Sequence, residues 1–187
     1  MSIGSHQSPK AKSVEWLTPP YIIEALGHFD LDPCSPVDRP WPTASKHYTI
    51  YDDGLSKPWK GTVWCNPPYG KETGKWLKRC ADHDNGIALV FARTETKMFF
   101  DYVWPSASAL LFIKGRLHFH DASGVRAKAN CGGPSVLIAY GITSAIALKC
   151  SGIPGAIVDL GKGFWTKHDP LAPSAFLTPP TEAGVLA

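Results

Sequence analysis

No apolar run in this 187-residue chain approaches the roughly 18 residues that a membrane-crossing helix needs. The uncharged stretch from Val136 to Leu148 is interrupted by Gly141, Thr143 and Ser144. No apolar segment follows a basic start, so nothing points to secretion, and the expectation is a soluble cytoplasmic protein without a membrane partner. No two of the five cysteines (Cys34, Cys65, Cys80, Cys131, Cys150) are close enough in sequence for a structural zinc site. An odd, widely spaced set in a cytosolic setting also excludes a disulfide framework. Neither sign of charge dominates: 19 Lys and Arg face 16 Asp and Glu, for a net charge of +3. That weak basicity permits a nucleic-acid partner without demanding one.

What is present suffices for one folded domain. Hydrophobic residues make up 44% of the chain, which excludes wholesale disorder. The 17 glycines and 17 prolines are scattered and mark turns rather than a low-complexity segment. Residues 1–13 are polar and read as a flexible arm, and the Pro-rich stretch 168–187 reads as an irregular tail. A single domain is expected over 14–167.

Within it, Pro19 and Pro20 open a helix through Tyr21 to Leu26. A strand over His28–Asp32 stops at Pro33, and the proline-interrupted residues 33–48 read as one long loop. Apolar strands are expected over Thr62–Cys65, Gly86–Phe91, Ala109–Ile113 and Ser135–Tyr140, and helices over Lys75–His83 and Thr96–Trp104. Continuous apolar strands alternating with helices predict an α/β fold of three layers, with a mostly parallel central sheet and helices on both faces. In such sheets ligands bind beyond the carboxyl ends of the strands. That rule selects Asp32-Pro33-Cys34, Asn66-Pro67-Pro68-Tyr69 and Ala92-Arg93-Thr94.

The second segment carries the chemistry. Its two prolines remove the backbone from any ladder, so the Asn66 and Pro67 carbonyls turn outward. Asn66 supplies an amide acceptor and donor, and Tyr69 a flat apolar face. Together they suit a planar group with an exocyclic NH2: two acceptors for its hydrogens and a ring to stack on its plane. The bland alternative is a Pro-rich turn with an Asn cap.

Asn-Pro-Pro-Tyr after an apolar strand resembles the catalytic motif of S-adenosylmethionine-dependent amino methyltransferases. Further segments match in order. Thr18-Pro19-Pro20 resembles the Thr-Pro-Pro ahead of their first strand. Leu31-Asp32-Pro33-Cys34 resembles the start of their cofactor motif. Asp52-Asp53-Gly54-Leu55, with Trp59 and Gly61, resembles the segment whose Asp meets the cofactor adenine. Gly115 to Phe119 resembles a motif late in the chain. From Trp16 to about Tyr140, roughly two thirds of the chain, the layout is similar to the small phage-type DNA N6-adenine methyltransferases.

That resemblance implies a Rossmann-like methyltransferase fold, S-adenosylmethionine as cofactor and DNA as partner. It implies that Asn66 and the Pro67 carbonyl, on the fixed Pro67-Pro68 backbone, hold the N6 amine of a flipped adenine, with Tyr69 stacked on the base. Thr18 and Pro19 would lie beside the cofactor. Asp32, with Pro33 and Cys34, would anchor its methionine or ribose end, and Asp53 or Asp52 would bond its adenine amine. One departure is plain: related enzymes place a Gly-x-Gly turn after the acidic-Pro-Cys segment, and here no glycine stands between Asp32 and Gly54. The loop after Cys34, with Trp41, is expected to take over that role.

For DNA, Lys71, Lys75, Lys78 and Arg79 recur at helical spacing after the motif and predict a basic stripe, unless they are only a solvated helix face. Lys114, Arg116, Arg126 and Lys128 bracket a polar loop over 118–134 that can reach phosphates or bases, though Arg116 has Asp121 as an alternative partner. No target-recognition domain fits the length, so a short target site or loose specificity is expected, read by the loops at 33–51, 70–75 and 118–134. His118 and His120 lack a third ligand, and no metal is expected. Two other readings stay open: an amine acceptor in RNA or in a protein glutamine, and a non-catalytic DNA-binding relic of the fold.

Overall fold

The computed structural model describes residues 16–161. The arm at 1–13 and the tail at 168–187 lie outside the described residues, as do the ends of the expected domain.

The strands pair into one seven-stranded sheet. In chain order the elements are α1 (Pro20–Leu26), β1 (Leu31–Asp32), β2 (Lys46–His47), β3 (Val63–Cys65), α2 (Thr73–His83), β4 (Gly86–Phe91), α3 (Lys97–Tyr102), β5 (Ala109–Ile113), β6 (Ser135–Tyr140), α4 (Ile142–Cys150) and β7 (Gly155–Asp159). The sheet order is β2-β1-β3-β4-β6-β5-β7. The three pairings among β2, β1, β3 and β4 are parallel. The three among β4, β6, β5 and β7 are antiparallel. The sheet is therefore mixed: one half is parallel as the sequence predicts, and the other half is not. The antiparallel half has a local cause. Ser135–Tyr140 inserts between β4 and β5 against the direction of both, and β7 returns along β5 from Ile113↔Gly155 to Ala109↔Asp159.

Pleating sends alternate side chains to opposite faces. Val63, Cys65, Ala88, Val90, Leu110, Val136 and Ile138 pack with Trp76, Leu77 and Cys80 of α2 and Phe99 of α3. Trp64, Ile87, Leu89, Ala109, Leu111, Leu137 and Ala139 pack with Ile22 and Leu26 of α1 and Ala145 and Leu148 of α4. Two cores thus lie on either side of the sheet, which explains why β4 and β6 read as unbroken apolar runs.

The first strand keeps only Leu31–Asp32 of the expected His28–Asp32. The long loop hides β2, which pairs through Lys46 and His47 with β1. A two-residue strand flanked by polar residues carries no period to detect. Helix α4 and strand β7 are further additions to the expected elements. The former is apolar on most sides, with Ile142 and Ile146 exposed, and so has no helical periodicity to show.

Candidate active site

Because β1, β2, β3 and β4 run in one direction, their carboxyl ends meet at one edge of the sheet. A cavity of about 410 Å³ opens there. Pro33 to Pro36 after β1 line it, as do Thr49, Ile50, Asp53 and Gly54 after β2 and Asn66 to Tyr69 after β3. Trp76 of α2 and Trp16 complete the wall. Of the three segments that the strand-end rule selects, those at 32–34 and 66–69 contribute to this lining, and 92–94 does not.

Asn66 is the fixed point. Its side-chain NH2 donates to the Trp16 carbonyl at 3.1 Å. A carbonyl only accepts, so this bond sets the amide's orientation and turns Oδ1 the other way. Oδ1 is buried and has no partner among the described residues. A buried, unpaired acceptor costs about 1–3 kcal/mol, a cost that a ligand donor would relieve.

Tyr69 is held from behind. Phe91, at the end of β4, stacks on its ring with centroids 4.4 Å apart and planes at 15°. Phe119 meets it edge-on at 6.5 Å. Phe91 is itself backed by Gly133, where a Cβ would lie 3.2 Å from the ring. One face of Tyr69 is therefore covered and its plane is fixed. Its hydroxyl is buried without a partner among the described residues, and burial drives its pKa well above that of a free phenol.

The residues after β1 are organised from below. The Asp32 carboxylate accepts the Cys34 amide at 3.1 Å and the Thr43 hydroxyl. Burial raises its pKa to about 6, with the Thr43 hydroxyl, the Cys34 amide and the Arg39 charge opposing the rise. The His47 Nε2 accepts the Thr43 and Ala44 amides at 3.2 and 3.3 Å, and burial lowers its pKa, so it is neutral. Arg39 donates to the Pro36 carbonyl at 2.8 Å and the Val37 carbonyl at 3.2 Å. This network shapes loop 33–45, which contains no glycine. Trp41 does not line the cavity; its ring meets His120 edge-on at 5.2 Å.

The two adjacent aspartates separate cleanly. The Asp52 carboxylate accepts the Thr49 amide at 2.8 Å and the Thr49 hydroxyl at 3.0 Å, closing the turn and lowering its pKa. Asp53 takes a positive φ of 52° and lines the cavity instead. Gly54 lets this turn close: a Cβ there would lie 1.8 Å from the Pro33 carbonyl oxygen, so no side chain fits. Its own carbonyl accepts the Trp59 indole at 2.8 Å.

Of the residues singled out in the sequence, Asn66, Pro67, Pro68, Tyr69, Pro33, Cys34 and Asp53 come together around the cavity. Thr18, Pro19, Asp32 and Asp52 stand outside its lining. Thr18 is buried, with a hydroxyl lacking a partner among the described residues. Pro19 caps α1. Burial raises the Cys34 pKa to about 11, and its sulfur lies 3.7 Å from that of Cys65. Sequence reasoning misses Trp16, Ile50, Trp76 and Phe91. Only Phe91 carries a signal, its place at the end of a strand aimed at the site.

The expected basic stripe on α2 dissolves. Lys75 pairs with Glu72 and Lys78 with Asp82, each at 2.6 Å. Arg79 lies over the Trp59 ring at 5.1 Å and donates to the Lys57 carbonyl. Acids three or four residues away answer the two lysines, as a solvated helix face requires. Lys71, Arg116, Arg126 and Lys128 are exposed and form no ion pair among the described residues. Asp121 is not Arg116's partner: its carboxylate takes the Ser123 amide and hydroxyl and the Val125 amide, which lowers its pKa. The segment bearing these arginines is tied to the site, since Leu17 and His120 exchange backbone hydrogen bonds at 2.8 and 3.0 Å. Trp16, next in sequence, holds Asn66. His118 bonds the Ala127 carbonyl, and no group of three or more metal-ligating side chains occurs among the described residues. No helix among them is long and apolar enough to cross a membrane.

The sheet-edge cavity is lined by a residue whose buried acceptor is oriented and has no partner among the described residues, which a hydrogen-bond donor such as an amine would satisfy. A family model described as DNA N-6-adenine-methyltransferase (Dam) matches residues 5–146, which is 142 of the 187 residues. The chain belongs to this family. Membership implies DNA adenine N6-methyltransferase activity and DNA as substrate. No match is found among curated proteins or among solved structures.

Proposed function

We propose that this chain transfers a methyl group from S-adenosylmethionine to the N6 amine of an adenine turned out of DNA, at a short target sequence. In this reading the α/β sheet with a helix pair on each face is a three-layer, Rossmann-like methyltransferase fold. The observation that carries the proposal is the Asn66 Oδ1, a buried acceptor oriented by Trp16 and left without a protein partner among the described residues.

The cavity fits the cofactor by its chemistry. Its volume of about 410 Å³ suits a nucleoside-sized group, its wall is largely apolar, and Asp53 places a carboxylate on it. Asp53 would accept from an amine or hydroxyl of the cofactor, with Ile50 and Trp76 against its flat part. Pro33 and Cys34 would border the methionine end, while Asp32 acts one step back by holding the Cys34 amide. When bound, S-adenosylmethionine would supply an electrophilic methyl group whose transfer to N6 would leave a neutral thioether and release one amine proton to solvent.

The chain's own residues do the rest. An exocyclic amine conjugated with a ring is a poor nucleophile. Asn66 Oδ1 and the Pro67 carbonyl accept its two hydrogens, draw the nitrogen toward tetrahedral geometry and stabilise the positive charge that develops there. Tyr69 takes the base on the face that Phe91 leaves open and so aims the nitrogen. The target atom is out of reach within a duplex, so the base must leave the stack. Exposed Arg116, Arg126 and Lys128 lie on the segment joined to Trp16-Leu17 and would meet the DNA backbone.

The test is tritium transfer from labelled S-adenosylmethionine to unmethylated DNA, with RNA and protein as parallel acceptors and Asn66→Ala as control. Label in DNA recovered as N6-methyladenine is the expected result. Label in RNA or protein would keep the acceptor chemistry and replace the substrate. A folded protein that labels nothing and binds no cofactor would overturn the reading.

A further inference from the structure

A second cavity, of about 490 Å³, lies against the first and shares Tyr69 as a wall. It is lined by Gly70 and Lys71 ahead of α2 and Thr73 at its start, by Val90 and Phe91 at the end of β4, by Arg93 just beyond it, and by Met98 of α3. Its charged lining is of one sign: Lys71 and Arg93, both exposed and both without an ion pair among the described residues. Elsewhere on this face of the protein, Lys75, Lys78 and Lys97 are each matched by an acid at 2.6 Å. Arg79 lies over the Trp59 ring and donates to the Lys57 carbonyl, whereas the two cations beside Tyr69 have no ion pair among the described residues and line a cavity.

Arg93 is also held in place by its backbone. Its amide bonds the Phe91 carbonyl at 2.8 Å, and its carbonyl accepts the Thr96 amide at 3.1 Å and hydroxyl at 2.7 Å. The flanking Ala92 amide bonds the Pro134 carbonyl, and the Trp104 indole bonds the Thr94 carbonyl. The turn is therefore rigid while the guanidinium has no acid partner among the described residues. A planar, always-charged fork on a fixed base suits bidentate recognition of a phosphate. Lys71 adds a point charge from across the cavity, and Phe91, Val90 and Met98 supply an apolar floor for a sugar.

From this geometry we infer that Lys71 and Arg93 seat the phosphodiester next to the nucleotide whose base lies on Tyr69. The inference rests on the proposed function and assigns it a backbone subsite. Anchoring the strand at this point holds the extruded nucleotide in register with Asn66 without reading sequence.

The experiment uses the full chain and unmethylated genomic DNA, with binding measured across a salt series and methyl transfer measured in parallel. Cofactor affinity is followed by calorimetry and folding by circular dichroism. Removing one cation that neutralises a phosphate flattens the slope of log K against log salt by about 0.9 for duplex DNA. Arg93→Ala and Lys71→Ala are each expected to lower that slope by about 0.9 and to raise KM for DNA roughly tenfold, with cofactor affinity unchanged. Arg93→Lys should restore most of the slope and only part of the affinity. Slopes equal to that of the wild type in both alanine variants would overturn the subsite while leaving the methyltransferase reading standing. A wild-type chain that binds cofactor but neither binds nor methylates DNA would instead overturn the underlying reading, and the subsite with it.

Discussion

The side-chain amide of Asn66, a residue lining the cavity, donates to the backbone carbonyl of Trp16, which leaves its Oδ1 buried and without a partner among the described residues. Fifty positions of sequence separate the two residues. The bond converts a symmetric-looking amide into a one-way acceptor. Asn66→Ala should therefore lower kcat about 10²–10³-fold, the usual loss when one preorganised polar group at a reacting centre is removed. Cofactor affinity should barely change. Steady-state kinetics with calorimetry on the same variant checks both halves.

Tyr69 contributes a ring and no hydroxyl bond. Its oxygen is buried with no partner among the described residues, so Tyr69→Phe should turn over at close to the normal rate and be at least as stable. Tyr69→Ala removes base stacking worth about 1–3 kcal/mol, or roughly 10- to 100-fold in DNA affinity. Equal defects in the two variants would mean that the hydroxyl, not the face, is used. Fluorescence of a 2-aminopurine probe at the target position reports the stacking directly.

Neighbouring aspartates should behave differently. Asp53→Ala should weaken cofactor binding and leave DNA affinity in place, because Asp53 lines the first cavity. Asp52→Ala should act by loosening the Thr49 turn, seen as faster amide exchange across 49–54. If Asp52→Ala reduced cofactor affinity more than Asp53→Ala, the assignment would be reversed.

Asp32 makes a pH-dependent contribution whose sign is set by burial. Its pKa in the folded protein, about 6, lies above the value of 3.8 for an unhindered aspartate. The folded state thus binds this proton more tightly, and stability falls as pH rises from about 4 through 6. The full effect, at 1.36 kcal/mol per pH unit, is of the order of 3 kcal/mol. Asp32→Asn should remove this slope from the difference between the two proteins' denaturation profiles. At neutral pH the variant should be no less stable than the wild type. A variant whose profile runs parallel to that of the wild type between pH 4 and 6 would refute the assignment.

Much of this molecule is written along the chain. β4, β5 and β6 match the expected ranges residue for residue, because each is buried on both faces and so is apolar throughout. Asn66 to Tyr69 also stand out, since two prolines directly after a buried strand take the backbone out of the ladder. Local pattern failed where the signal is not local. β2 has two polar residues and exists because β1 lies beside it. β7 is exposed along its length and is held by β5. The basic stripe failed because helical spacing brings Glu72 and Asp82 to the lysines as readily as it aligns the lysines with one another.

By itself, then, the sequence determined the α/β class of fold and the place of Asn66-Pro67-Pro68-Tyr69 directly after a buried strand. These follow from composition and backbone restriction, which act between near neighbours. Tertiary structure alone decided which way Asn66 points, which of Asp52 and Asp53 faces the cavity, and which face of Tyr69 is free. It also set Lys71 and Arg93 on one cavity from two different elements. Each of these depends on a partner far away in sequence — Trp16 for Asn66, Phe91 for Tyr69, Pro33 for the turn at Gly54 — and such partners meet only once the sheet has brought its strand ends to one edge.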